Sequence, residues 1–78
     1  MLLSQLHKGD EAVIVRINAD STLRNRLSSF GVVRGERLKV KGCSLAKKTM
    51  EIEIEHTLLA LREMEASKIE VSQVGEVS

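Results

Sequence analysis

An apolar segment near the start of the chain has the composition of a strand. The segment from residue 11 to residue 17 is rich in β-branched residues, with Val13, Val15 and Ile17 on one face and Ile14 and Arg16 on the other. We therefore predict a first strand over residues 11–17. Leucines at positions 3 and 6 are spaced like one helical turn, so a short helical turn or loop is expected before the turn signal at residues 9–10.

Apolar residues then recur at the spacing of a helix. They form one stripe that consists of Leu23, Leu27 and Phe30. Asp20 or Ser21 can cap this helix, because a short side-chain oxygen accepts a hydrogen bond from the free backbone N–H groups of the first turn. Gly31 follows directly and can adopt the left-handed conformation that ends many helices. The pattern predicts a helix over residues 21–30 with its stripe in the core.

Two alternating segments, residues 36–41 and 50–54, predict a hairpin. In the second segment Met50, Ile52 and Ile54 face inward and the glutamates between them face outward. The expected register places these pairs opposite one another: Val40 and Ile52, Leu38 and Ile54, Lys39 and Glu53, and Lys41 and Glu51. This register places apolar residues opposite apolar residues and lysines opposite glutamates across the hairpin.

The rest of the chain predicts a strand over residues 58–62, a helical turn over 63–67, a closing strand over 69–71 and a frayed tail over 72–78. Each strand has one apolar face. A sheet of short strands buries such faces by curling on itself, with the helix over one opening. We therefore predict a mostly β fold, a small five-stranded half-open barrel with one short covering helix, in a single domain over residues 1–78.

Composition narrows the class of protein. With 78 residues, of which 42% are hydrophobic and 29% charged, the chain is typical of a small globular domain rather than a disordered segment. Its apolar runs are short, so no direct insertion into a membrane is expected. The N-terminus shows no secretory signal, and the single cysteine, Cys43, cannot form an internal disulfide. Both features favour the cytoplasm.

The sequence shows no arrangement typical of an enzyme site, neither a nucleophile beside a base nor a glycine loop for phosphate. We therefore predict no catalytic residue and no cofactor. The soft metal ligands His7, Cys43 and His56 lack the close spacing of a metal clip, so no dedicated metal site is expected. A weak or adventitious divalent site stays open at three glutamates on one strand face: Glu51, Glu53 and Glu55.

Charge is distributed unevenly along the chain. Residues 1–48 contain 10 basic and 4 acidic groups, and residues 49–78 contain 2 basic and 7 acidic groups. A nucleic-acid-binding surface would use the basic residues of the first part, which include Arg24, Arg26, Arg34, Arg37, Lys39, Lys41, Lys47 and Lys48. Phe30 is the only aromatic residue, which argues against base stacking, and internal pairing with acidic residues is the simpler explanation. No nucleic acid is therefore expected, and a small RNA- or DNA-binding barrel is the alternative.

One segment has a more specific pattern. Residues 26–35 place Arg26, Leu27, Gly31, Val32 and Gly35 in the order R-L-x-x-x-G-h-x-x-G, where h is hydrophobic. This segment resembles the FeoA family, small cytoplasmic accessory proteins of bacterial ferrous-iron uptake. The leucine-rich opening at residues 3–10 and the segment at 59–71 extend the resemblance over nearly the whole chain.

The resemblance implies an SH3-like barrel that acts as a protein-interaction module. Its expected partner is FeoB, a membrane Fe(II) transporter with a cytoplasmic G-protein domain, so the protein would be peripheral at the inner membrane through that partner. The motif residues Arg26, Leu27, Gly31 and Gly35 are assigned structural roles, and Arg26 is either a surface contact or a partner of a helix end. The family is similar to the C-terminal SH3-like domain of iron-dependent repressors, so a repressor-type regulatory domain is a further alternative.

Partner contacts are expected at the tip of the predicted hairpin, residues 43–48, and at the basic turn before it. We predict that Arg34, Leu45, Lys47 and Lys48 contact the partner, and that the same tip offers a route to self-association. The sequence departs from the family at this tip, where residues 46–49 replace a Gly-Asp-Pro-like turn. It departs again at residues 56–57, where the family commonly has a glycine turn.

Overall fold

The fold is seen in a computed structural model that describes residues 1–44, 46 and 48–74. Its strands are β1 (Glu11–Ile17), β2 (Arg37–Cys43), β3 (Thr49–Ile54), β4 (Thr57–Arg62) and β5 (Ile69–Gln73). Its helices are α1 (Ser21–Ser29), α2 (Glu63–Ala66) and an opening 3-10 helix (Leu3–Gln5). The predicted order of elements is therefore confirmed.

The strands form one antiparallel sheet of five in the order β4-β3-β2-β1-β5. The N-terminal segment covers the outer side of β5, where Leu2 bridges Glu70 and the Val71 N–H donates to the Met1 carbonyl at 2.8 Å. All strands, the 3-10 helix and α1 contribute to one core, whose fully buried members include Leu3, Leu6, Ile14, Leu27, Leu38, Ile52 and Ile69. The predicted class, a mostly β SH3-like barrel with one short covering helix, is confirmed.

Strand β1 does not follow the expected alternation. Ala12 and Ile14 are buried, whereas Val15 and Arg16 are both exposed, Val15 to 45%. The ladder to β5 shifts by one residue between Ile14 and Arg16, which leaves Val15 as the extra residue of a β-bulge. The face predicted from residues 13, 15 and 17 is therefore interrupted at its middle, and a valine lies at the surface.

Helix α1 is capped at its start as predicted, because Asp20 Oδ1 accepts the Leu23 N–H at 2.9 Å. Leu27 is buried in the core, and Leu23 packs against the core while half-buried. The prediction that Phe30 completes the apolar stripe is wrong, since Phe30 is 46% exposed. The helix ends at Ser29, and Phe30 has φ −103° and ψ 9°, so its side chain no longer follows the stripe.

The β2–β3 hairpin has only part of its predicted register. Two predicted pairs are confirmed: Val40 with Ile52 and Lys39 with Glu53. The ladder then shifts and places Gly42 opposite Glu51, so the predicted Lys41–Glu51 pair is wrong. Lys41 Nζ instead lies 3.7 Å from Glu53 Oε1. The inward set of β3 is buried as predicted.

Strand β5 is longer than the predicted closing strand. It continues through Gln73, and the Val74 N–H donates to the Glu11 carbonyl at 2.8 Å. Pairing with β1 thus orders the first part of the predicted frayed tail, and residues 75–78 lie outside the described residues. In the part of the chain that the structure describes, no helix is long and apolar enough to cross a membrane.

Candidate docking groove

Arg26, the first residue of the motif, connects α1 to α2. Its Nη1 donates to Glu65 Oε2 at 2.9 Å, and the Glu65 side chain is only 8% exposed. Glu65 Oε1 accepts the Arg62 N–H, the N-cap amide of α2, at 3.0 Å. A buried carboxylate needs such partners, because an unpaired charge in the interior is costly. Arg26 therefore lies in the structure as the partner of a helix end.

The glycines of the motif set the direction of the chain after α1. Gly31 has φ +88°, and its N–H donates to the Ser28 carbonyl while the Val32 N–H donates to the Leu27 carbonyl, at 3.0 and 2.9 Å. These two bonds form a Schellman motif, which favours glycine at the left-handed position. Gly35 also has a positive φ, +93°. The Val33 N–H donates to the Gly31 carbonyl at 3.0 Å and the Glu36 N–H donates to the Val33 carbonyl at 3.1 Å, so the chain turns tightly around residues 32–34.

A groove lies between β1, α1 and this turn. The Gly35 N–H donates to the Ile14 carbonyl and the Ile14 N–H donates to the Glu36 carbonyl, at 2.8 and 2.9 Å, so the turn is held beside the bulge of β1. The groove has a volume of about 380 Å³. Its apolar lining consists of Val15, Ile17, Val32 and Val33.

Three arginines also line this groove, which we call the arginine groove: Arg16, Arg24 and Arg34. All three are exposed. Arg24 Nη2 donates to the Ile17 carbonyl at 3.3 Å and to the Ala19 carbonyl at 3.5 Å, so its guanidinium rests against the end of β1. Arg16 follows the bulge directly, and Arg34 belongs to the turn. Three separate segments of the chain thus bring the positive charges together.

The charge of these arginines is not neutralised by neighbouring carboxylates. Within the described residues, no Asp or Glu oxygen lies within 4.0 Å of any of the three. Glu70 is opposite Arg16 in the β1–β5 ladder but forms no ion pair with it. Three other basic residues are paired: Arg26 with Glu65, Arg37 with Glu11 and Lys41 with Glu53. The groove is therefore a local concentration of unpaired positive charge.

The predicted partner contacts fall in different places. Arg34 lines the arginine groove, whereas Lys48 lines a separate depression with Arg62 and Glu63. Leu45 and Lys47 lie outside the described residues. Contact through the hairpin tip therefore stays a prediction.

Sequence reasoning did not identify Val15 and Arg16 as site residues. The bulge turns Arg16 outward, and its position is not revealed by the pattern of that strand. Arg24 and Ser28 share one face of α1, because residues four apart do so in a helix, and both line the groove.

The β3–β4 connection departs from the family in sequence and reaches a tight turn nonetheless. Glu55 has φ 50° and His56 has φ 71°, and they lie between the paired residues Ile54 and Thr57. Two successive positive φ values are typical of a type I′ hairpin turn, in which glycine and asparagine are preferred. Here two residues with larger side chains adopt that conformation.

Candidate metal ligands do not converge in the described ranges. No group of three or more His, Cys, Asp or Glu side chains there could hold an ion. His7 Nδ1 lies 3.9 Å from Asp10 Oδ2, a pair of residues within one turn. Weak divalent binding at Glu51, Glu53 and Glu55 stays a prediction.

Comparisons with a family model, with curated proteins and with solved structures agree on one family. The model of the FeoA domain family matches residues 1–73. A Campylobacter jejuni protein named as an Fe(2+) transport protein A is 39% identical over 74 residues, which cover 95% of this chain and 100% of that protein. A solution NMR structure of the FeoA protein from Chlorobium tepidum has a TM-score of 0.92 and 33% identity, and the match covers 100% of this chain and 74% of that chain.

One further relative and one structural neighbour extend the comparison. An Fe(2+) transport protein A/Fe(2+) transporter FeoB fusion protein of Porphyromonas gingivalis is 36% identical over 75 residues, 96% of this chain and 9% of the fusion. A manganese-dependent transcriptional repressor matches with a TM-score of 0.86 and 23% identity over 94% of this chain and 40% of that chain. The likeness to the repressor shows a shared fold alone.

Proposed function

The chain belongs to the FeoA domain family, and from this premise we propose that it is a non-catalytic accessory module of Fe(II) uptake that docks on the cytoplasmic G-protein part of a FeoB-type transporter. The observation that carries the proposal is the Porphyromonas gingivalis fusion, in which a relative of this chain and FeoB are parts of one polypeptide. Fusion holds two parts at a high effective concentration, which is useful when they act on each other.

The structure offers a suitable surface for docking. A sheet of five strands provides a rigid platform, and the chain segments around it present side chains to a partner. The arginine groove is accessible, lies beside exposed Val15 and carries charge that the described residues leave unpaired. When the transporter binds this groove, the accessory protein is held at the cytoplasmic face of the inner membrane without entering the bilayer.

When the module and the transporter are added as separate molecules, binding depends on their own affinity, since no linker raises the local concentration. Direct binding is therefore measurable with purified components. The full 78-residue protein would be immobilised and exposed to the purified cytoplasmic G-protein domain of FeoB from the same organism. We expect saturable binding that is retained when the whole detergent-solubilised transporter replaces the domain.

The same immobilised protein would be exposed to a single-stranded RNA and to a DNA duplex of matched length. The docking function predicts that neither nucleic acid binds as tightly as the G-protein domain. Absence of binding to both the domain and the whole transporter would contradict the proposal. Tight binding to nucleic acid instead would favour the alternative of a nucleic-acid-binding barrel.

A further inference from the structure

We propose that the arginine groove binds a short, extended acidic segment of a protein partner in which aliphatic side chains accompany the carboxylates. The proposal rests on the docking function above and names the chemistry of the docked segment. It concerns a surface built from β1, α1 and the turn at residues 32–34, away from the hairpin tip that the sequence favoured.

Charge indicates an anionic occupant. Arg16, Arg24 and Arg34 carry positive charge, and a guanidinium presents paired N–H groups that match the two oxygens of a carboxylate. None of the three forms an ion pair within the described residues. The formal charge of the whole protein is only +1, so the positive charge of the groove is a local feature. Complementary negative charge on a partner would be attracted to this place rather than to the surface in general.

The lining of the groove indicates that the occupant is also apolar in part. Val15 lies at the bulge of β1 and is 45% exposed, and half-buried Val33 lines the same groove. Such bulges are frequent where a side chain is redirected at a functional site. An aliphatic side chain of the partner would cover both valines. A simple anion would leave them exposed.

The shape of the groove favours a peptide over a nucleic acid. Its volume of about 380 Å³ accommodates a few side chains. No aromatic ring lines it, and single-stranded nucleic acids rely on aromatic stacking for much of their affinity. A strand of acidic and aliphatic residues in alternation would direct carboxylates to the arginines on one side and aliphatic groups to the valines on the other.

The proposal is tested with the 15N-labelled protein and the synthetic peptide acetyl-Glu-Leu-Asp-Leu-Glu-Leu-amide, in which acidic and aliphatic residues alternate. We expect saturable shifts of the backbone amides at residues 15–17, 24–28 and 32–34. The matched neutral peptide acetyl-Gln-Leu-Asn-Leu-Gln-Leu-amide should produce no saturable shift. Saturable shifts confined to other amides, or equal affinity for the neutral peptide, would overturn the proposal.

Two variants of equal charge separate the groove from the rest of the surface. Arg16→Gln with Arg34→Gln removes two groove arginines, and Lys8→Gln with Lys39→Gln removes two exposed lysines outside it. The groove variant should weaken peptide binding about tenfold or more, because charge-assisted hydrogen bonds are lost. The lysine variant should stay within about twofold of the parent. Equal losses in both variants would show attraction to charge in general and would overturn the proposal.

A third variant distinguishes loss of peptide binding from loss of folding. Val15→Asp places a negative charge at an exposed position of the groove and alters no arginine. It should abolish peptide binding while the dispersion of the amide spectrum is retained. Binding that survives this change would contradict the proposal.

Other occupants give distinct results. Concentration-dependent shifts of the groove amides without peptide would show a second copy as the occupant, and tighter groove binding of a uridine oligonucleotide would show a nucleic acid. Either result overturns the proposal. If the G-protein domain of the transporter binds the protein while the acidic peptide does not, the docking function stands and the proposed chemistry of the groove fails.

Discussion

At the scale of single residues, the motif shared with the family fixes the chain segment that leads from α1 into the groove. Arg26 supplies the partner of the buried Glu65 carboxylate, and Gly31 lets the chain leave α1 in a left-handed conformation. The same segment then provides Arg34 as a groove residue. Positions that are structural in themselves thus determine where Arg34 lies.

The Arg26–Glu65 pair leads to a prediction about stability. Arg26→Ala should lower the free energy of unfolding by about 1–3 kcal/mol, because it leaves a buried carboxylate oxygen without its donor. The cost should shrink in a Glu65→Gln background, where no buried charge remains. Chemical denaturation of the four proteins of this double-mutant cycle measures the coupling. Equal costs in both backgrounds would show that the pair contributes nothing.

The β3–β4 turn leads to a prediction of the opposite sign. His56 has φ 71°, and a left-handed conformation costs a residue with a side chain about 1–2 kcal/mol. Glycine removes this strain and loses about 0.4–1 kcal/mol through the greater freedom of its unfolded chain. His56→Gly should therefore raise stability, whereas His56→Ala should not. A glycine variant that melts at or below the temperature of the alanine variant would refute the assigned turn.

At the scale of elements, the hydrophobic periodicity of the sequence predicted the regular strands and the helix but not the bulges within the strands. The inward set of β3 and the capped start of α1 could be predicted, because hydrophobic spacing and short polar side chains report on them directly. The bulges in β1 and β2 could not be predicted. Each inserts one unpaired residue whose position depends on the partner strand. In β2, for example, Gly42 rather than Lys41 lies opposite Glu51.

The packing of α1 leads to a third prediction. Leu27→Ala should lower the free energy of unfolding by about 2–5 kcal/mol, because it opens a cavity in the shared core. Phe30→Ala should cost much less, since half of that side chain already lies in solvent. Urea denaturation of both variants checks the order. A Phe30 variant as unstable as the Leu27 variant would restore the apolar stripe that the sequence predicted.

At the scale of the whole molecule, the fold class could be predicted from the sequence and the site only in part. The sequence predicted Arg34 as a partner contact, although internal pairing was the simpler explanation of the charge imbalance along the chain. The groove itself needs tertiary structure, because Arg16, Arg24 and Arg34 come from a strand, a helix and a turn that no local pattern connects. Pairing also removes Arg37 and Lys41 from the free basic surface, which the sequence alone did not resolve.

The central claim is that the protein docks on the transporter through the arginine groove. The most direct test is the dissociation constant of the full-length protein for the cytoplasmic G-protein domain of FeoB, measured by isothermal titration calorimetry for four proteins. These are the parent, the groove variant Arg16→Gln/Arg34→Gln, the lysine control Lys8→Gln/Lys39→Gln and the tip variant Leu45→Asp/Lys47→Glu. We expect the groove variant to bind about tenfold more weakly or worse and the lysine control to bind like the parent, whereas the tip variant tests the separate prediction of a contact at residues 45 and 47. Parent-like binding by the groove variant, with loss of binding confined to the tip variant, would contradict the claim and return the interface to the hairpin tip.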